Sequence, residues 1–292
     1  MLKELWEARK RLVERQLKQE LCDGAPLDQT LEEAMAYSLL AGGKRLRPIL
    51  LMAAADAVGA DGTKFVTTGC AIEMIHTYSL IHDDLPAMDD DDYRRGKLTN
   101  HKVYGAGMAT LAGDALLTLA FEVMLRQQGV SDAVRLSVVR EMSQAAGMDG
   151  MVGGQAIDLE SEGKSIPLER LRQMHLGKTG ALFRAAIRSG ALLAGAKEEQ
   201  LAALTQYADS FGLAFQITDD ILDVTGDEAA IGKPVGSDER NHKSTYVTLF
   251  SLERAQQMAD EAVERAVAAL TTFGGEAEFL RELVRFLRDR KQ

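Results

Sequence analysis

A single all-α domain spanning residues 1–292 is predicted, and three observations predict it. Apolar residues recur at intervals of three and four in segment after segment, the spacing of one face of an α-helix. No segment alternates convincingly between apolar and polar side chains, as a half-buried strand would. All five prolines fall near inferred helix ends, and no stretch has the composition of a linker. The elements below add up to roughly ten helices, an arrangement that must bury one apolar stripe of each against its neighbours.

The first helix takes Met1 to about Leu21, with Leu2, Leu5, Trp6, Leu12, Val13, Leu17 and Leu21 on an amphipathic pattern. Pro26 ends it, and a second helix runs from about Leu27 to Leu40. GGKRLRP, Gly42 to Pro48, then makes a glycine turn into a third helix, where Pro48 suits the first turn. Lys44, Arg45 and Arg47 crowd this turn. Cations beside helix-start amides suit a phosphate; from this motif alone, a basic surface loop reads equally well.

A helix from about Lys64 to Asp84 carries AIEMIHTYSLIHDD. His76, Ser79 and Asp83 fall at zero, three and seven, on one face. A histidine in such a helix is more often a core or surface residue than a ligand group, but the shared stripe with Asp83 raises the ligand reading. Tyr78 lies five residues before Asp83, about 7 Å back at roughly 1.5 Å per residue. It serves there either as core filling or as the floor of a pocket.

Further helices are predicted over about 108–127, with Asp114 inside an apolar face, and over about 132–147. GMVGGQAIDLE follows as a glycine-loosened region containing Gln155 and Asp158. Pro167 precedes a long helical stretch with HLGKTGALFRAA, in which Gly177 and Gly180 bracket Lys178 and Thr179. Each glycine weakens a helix by roughly 1 kcal/mol relative to alanine, so a kink that frees backbone carbonyls is one reading. Close packing against small residues is the other. The helix over about 200–224 holds FGLAFQITDDILD, with Gln216 three residues before Asp219. TGDEAAIGKPVGSD forms a loop with Lys233, and helices over about 252–273 and 276–288 close the chain.

Between these helices HDDLPAMDDDDYRRG, residues 82–96, concentrates six aspartates in ten positions and follows them with two arginines. Such a cluster repels itself unless a cation sits in it, while Arg94 and Arg95 call for an anion. A diphosphate held through divalent metal satisfies both, and hard oxygen donors without cysteine favour Mg²⁺. Asp83 and Asp89 would diverge on an unbroken helix, but Pro86 ends it and lets Asp89 swing back. In DDILD, Asp219 and Asp223 stand one turn apart on one face beside Asp220. Two carboxylate sets suggest one cavity lined from opposite sides.

Acidic residues exceed basic ones by 44 − 34 = 10, which argues against broad nucleic-acid binding. Cys22 and Cys70 form neither a CxxC pair nor a zinc pattern, so free thiols in a reducing compartment are expected. The N-terminus lacks the apolar run of a signal peptide, and no uncharged apolar stretch approaches a membrane span. A cytoplasmic protein is expected.

The ordered set GGKRLRP, DDLPAMDDDDYRRG, GGQAIDLE, GKTGALF, FQITDDILD and GDEAAIGKPVGSD resembles the trans-prenyl diphosphate synthase family over nearly the whole chain. Within it the chain is most similar to the bacterial farnesyl-producing branch. The resemblance implies an all-α bundle round a deep central cavity, usually a homodimer. It implies a reaction in which dimethylallyl and then geranyl diphosphate ionises and isopentenyl diphosphate attacks the cation. Asp83, Asp84, Asp89, Asp219, Asp220 and Asp223 would hold Mg²⁺. Arg94, Lys178 and Lys233 would grip the allylic diphosphate, with Thr179 and Gln216 beside it. Lys44, Arg47, His76 and Arg95 match the metal-free site for isopentenyl diphosphate, and the released diphosphate would take the proton. Tyr78, with Ser79 beside it, and the spacer LPAM resemble chain-length determinants that stop growth at fifteen carbons. Leu98 and Val247 stand where the family commonly has proline.

Four rivals are distinguishable. A geranylgeranyl or geranyl diphosphate synthase differs only in product length. A class I terpene cyclase has no need of the metal-free site of Lys44, Arg47 and Arg95. A noncatalytic subunit of a heteromeric synthase is disfavoured by intact carboxylates in both motifs. A calcium-binding structural protein fails because DDDDYRRG lacks the glycine and distal glutamate of an EF-hand loop.

Overall fold

The computed structural model describes residues 2–21, 26–226 and 244–289. It is all-α, with one two-residue antiparallel hairpin, and its residues fall into two compact units. The first unit comprises residues up to 52 and 61–139; the second comprises 53–60 and 140 onward.

The first unit opens with α1 (Leu2–Leu21) and α2 (Gln29–Leu39). Val13 and Leu17 of α1 are buried as their spacing requires, whereas Leu5 reaches the surface. Asp28 caps α2 by accepting a bond from the Leu31 amide at 2.8 Å, satisfying one of the donors that a helix start leaves open. α3 (Leu46–Ala57) crosses the boundary between the units, and a 3₁₀ turn, Gly62–Phe65, leads into α4 (Val66–Asp83). The α4 start is held by Gln127, whose side chain accepts from the Thr68 hydroxyl at 3.0 Å and donates to the Lys64 carbonyl at 3.0 Å. The strands β1 (Tyr93–Arg94) and β2 (Lys97–Leu98) pair Tyr93 with Leu98. Then come α5 (Asn100–Tyr104), α6 (Ala106–Leu125) and α7 (Asp132–Ala146), the last crossing into the second unit. By length and apolar content α6 passes for a membrane span, although it is not an uncharged apolar stretch of the kind expected to be absent. It carries Asp114 and Glu122 and packs against α4, as a core helix does.

The second unit continues with α8 (Met151–Ser161), α9 (Leu168–His175), a π turn (Leu176–Gly180), α10 (Ala181–Leu193) and α11 (Glu198–Thr225). The short α12 (Tyr246–Leu249), α13 (Leu252–Ala269) and α14 (Glu278–Asp289) complete it. Its core is built on α11, against which α10 and α13 pack, with Phe183 edge-on to Phe211 at 5.3 Å. Arg188 of α10 is fixed by both oxygens of Glu141 at 2.8 and 2.7 Å and by the Thr205 hydroxyl at 2.7 Å.

The structure departs from the expected elements at five places. GMVGGQAIDLE is the regular helix α8 rather than a loosened region, because Gly154 lies against the backbone of Lys178 and burial outweighs glycine's entropy. The long stretch after Pro167 is two helices joined by the π turn. The short helices α5 and α12, and the hairpin, are too brief for any periodicity to register.

Candidate active site

α4 ends at Asp83, and Asp84 caps it. Pro86 has the effect its chemistry predicts. The chain turns back so that the Asp89 amide donates to the Asp83 carbonyl at 2.9 Å. Asp83 is half-buried and Asp89 exposed, so both look outward, while Asp84 is buried. Arg94 clamps Asp84 through Nε at 2.7 Å and Nη2 at 2.6 Å. Burial pushes the Asp84 carboxyl above its ordinary range, Arg94 opposes this, and the charges of Asp91 and Asp89 push it further up. The loop is pinned at Thr99, whose hydroxyl donates to the Asp91 carbonyl at 2.8 Å, and by Lys102 on Asp92 at 2.7 Å. Tyr37 of α2 donates to the Leu98 carbonyl at 2.8 Å, which ties the hairpin to that helix.

Behind Tyr93 and Arg94 lies a cation cluster. The Arg95 guanidinium donates to the Gly42 carbonyl and sits where a side chain at Gly43 would be, 2.7 Å from the Cβ position. Arg95 and Arg45 themselves adopt positive φ, at 55° and 52°. Loss of solvent lowers Arg47 to about 10, with Glu73 opposing and Arg95 adding to the effect. The half-buried His76 is held well below the usual imidazole range by desolvation and then by Arg47, Arg95, Arg94 and Arg45. Arg47 and Arg95 both act on the His76 ring and on each other, and an anion bound among them would relieve the repulsion between the two guanidinium groups. Lys44 is exposed at the edge. Arg45 is withdrawn from this group. Only 2% exposed, it bonds Glu73 at 2.8 Å and the Leu39 carbonyl at 2.8 Å.

Tyr78, 5% exposed, lies edge-on to His82 at 5.6 Å, and Ser79 donates to the His76 carbonyl at 2.9 Å. Burial and then the Asp83 charge raise Tyr78 to about 12.

In the second unit the predicted kink at HLGKTG is the π turn, and the close-packing reading holds as well. A Cβ on Gly177 would lie 2.9 Å from the Gly150 carbonyl oxygen. Lys178 donates to Asp158 at 2.6 Å. Asp219 and Asp223 are half-buried on one face of α11, but Asp220 is buried and accepts from the Tyr246 amide at 2.8 Å. A cavity of about 270 Å³ is lined by Asp158, His175, Lys178, Thr179, Gln216 and Asp220. Lys233 lies outside the described residues, as does Cys22.

Among the described residues no three His, Cys, Asp or Glu side chains converge into a metal cage. The donors at each motif are carboxylate oxygens arrayed along a rim, which fit a hard divalent cation that takes further oxygens from its ligand. Sequence reasoning missed Glu73, the buried counter-charge of the cation cluster, and His175. The signals were present: Glu73 stands three residues before His76 in an apolar run, and His175 three before Lys178.

Carboxylate rims on α4 and α11, with arginine, lysine and histidine gathered at helix ends, define a protein built to handle polyanions in an all-α frame. The profile of the family described as polyprenyl synthetase matches residues 28–281, and the chain belongs to that family. It is 49% identical over 259 residues to a farnesyl diphosphate synthase of Geobacillus stearothermophilus, covering 87% of each chain. It is 51% identical over 241 residues to a farnesyl diphosphate synthase of Escherichia coli strain K12, covering 82% of this chain and 81% of that one. A crystal structure of geranylgeranyl pyrophosphate synthetase from Pyrococcus horikoshii superposes with a TM-score of 0.90 at 33% identity, covering 99% of both chains.

Proposed function

We propose that the protein is a cytoplasmic farnesyl diphosphate synthase, one catalytic domain that condenses isopentenyl diphosphate with dimethylallyl and then geranyl diphosphate. The observation that carries this is the complete, ordered motif set in a chain about half identical to bacterial enzymes of that name. The allylic C1–O bond breaks and diphosphate leaves with the electron pair. The double bond of isopentenyl diphosphate attacks C1, and the proton then lost goes to the released diphosphate.

Asp83, Asp84, Asp89, Asp219, Asp220 and Asp223 hold Mg²⁺, which when bound neutralises the charge that grows on the leaving group. Arg94 and Lys178, with Lys233, bind the allylic diphosphate. Arg94 pairs with Asp84 and Lys178 with Asp158, so each cation is held in place by a carboxylate that a diphosphate can outcompete. Thr179 and Gln216 present oxygens that favour positive charge on carbon. Lys44, Arg47, His76 and Arg95 hold isopentenyl diphosphate away from the carboxylates, so that this diphosphate is bound but not made a leaving group. Tyr78 and Ser79 limit chain length. A homodimer fits the exposed Leu111 and Leu125 of α6.

The test is product analysis with Mg²⁺, isopentenyl diphosphate and either dimethylallyl or geranyl diphosphate. A dominant fifteen-carbon alcohol after dephosphorylation is expected. A twenty-carbon product would move the protein to the geranylgeranyl branch, and no condensation would refute the enzyme.

A further inference from the structure

His175 has no part in the reaction outlined above, yet its surroundings are those of the allylic half of the site. It closes α9 at the entry to the π turn, three residues before Lys178. It shares with Lys178, Thr179, Gln216 and Asp220 the cavity of about 270 Å³. It also lines a second cavity of about 280 Å³ with Tyr246 and Leu213, so its ring forms part of the wall between the two. The ring lies 5.7 Å from that of the fully buried Tyr246, at 36°. Tyr246 in turn donates its backbone N–H to Asp220 at 2.8 Å.

We propose that His175 is a positioning residue for the allylic-diphosphate site, its ring bracing the Tyr246 segment that holds Asp220 while walling the pocket that holds Lys178. Planarity is what the contact uses: two rings 5.7 Å apart fix the height of the Tyr246 backbone over α11, and with it the orientation of the Asp220 carboxylate. The wall is also electrically quiet. Burial holds the imidazole down to about 4, against the pull of Asp158 and with Lys178 adding to the effect, so at neutral pH no second cation competes with Lys178 for the same anion. Nδ1 is buried without a hydrogen-bond partner, and the contact with Tyr246 is made by the ring itself.

The inference rests on the proposed prenyl-transfer reading, and the experiment separates the two. Binding of geranyl thiolodiphosphate, an unreactive analogue, is measured by calorimetry with Mg²⁺, beside steady-state kinetics and melting curves. His175→Ala is expected to weaken analogue binding about tenfold and raise the KM for geranyl diphosphate to match, with the KM for isopentenyl diphosphate within about twofold. His175→Phe, which keeps a flat ring, should recover most of the loss. If His175→Ala does not fold, His175→Leu, of similar volume but not planar, carries the comparison. Unchanged analogue affinity, an equal loss on isopentenyl diphosphate, or failure of His175→Phe to recover binding would each overturn the assignment. A wild-type protein that bound the analogue without forming product would instead refute the reaction, leaving the His175 comparison intact.

Discussion

Arg45 and Arg47 stand two positions apart in one basic run, and burial gives them opposite tasks. Arg45 is locked to Glu73 at 2.8 Å inside the first unit. Its replacement by alanine leaves a buried carboxylate without its partner, and breaking such a pair costs about 3–5 kcal/mol. Urea denaturation of Arg45→Ala should show that loss, whereas Arg47→Ala should unfold near the wild-type midpoint and raise the KM for isopentenyl diphosphate. Equal midpoints for the two variants would refute the division. Gly43 makes the same point about space. With φ at 128° and the Arg95 guanidinium 2.7 Å from its Cβ position, it has no room for a side chain. Gly43→Ala should therefore displace Arg95 and raise the KM for isopentenyl diphosphate about tenfold, with the allylic KM nearly unchanged. Steady-state kinetics with each substrate varied in turn decides it.

At the scale of elements, α4 acts as a ruler and the π turn as a bracket. Tyr78 and Asp83 ride on one rigid helix, so their offset along its axis is fixed by helical rise at about 7 Å for five residues. Tyr78→Ala opens that end and is expected to shift products to twenty carbons or more, read by chain-length separation; an unchanged fifteen-carbon product would put the floor elsewhere. The π turn is held by contact of Gly154 with the Lys178 backbone, and Gly154→Ala must push the two apart. Overpacking of this kind costs about 1–3 kcal/mol, so a lower melting temperature and weaker allylic binding should appear together. A lower melting temperature alone would mean that the bracket does not place Lys178. Helix periodicity made α4 and α11 legible in the sequence, and Pro86 made the return of Asp89 legible. The π turn was readable only as a kink, since glycine spacing does not say what presses on it. Which arginine of GGKRLRP turns inward was not legible either, because the buried partner Glu73 is 28 residues from Arg45.

For the whole molecule, the sequence pattern carries the all-α class and the aspartate motifs, since both depend on local spacing. Contacts between distant segments, such as Asp220 with Tyr246 or Arg188 with Glu141, follow only from the folded chain. Asp83 belongs to the first unit and Asp219 to the second, and the proposed reaction assigns them one task, departure of the allylic diphosphate. Groups that act on one step are not additive: once either is lost the step fails, and removing the other costs little more. Asp83→Ala and Asp219→Ala should each lower kcat by about 10²-fold or more with folding retained, as removal of a charge-stabilising group does. The double variant should then be little worse than the poorer single one. A double variant reduced by the product of the two single losses would mean that the motifs serve separate steps. Near-normal turnover in either single variant would remove that motif from the mechanism.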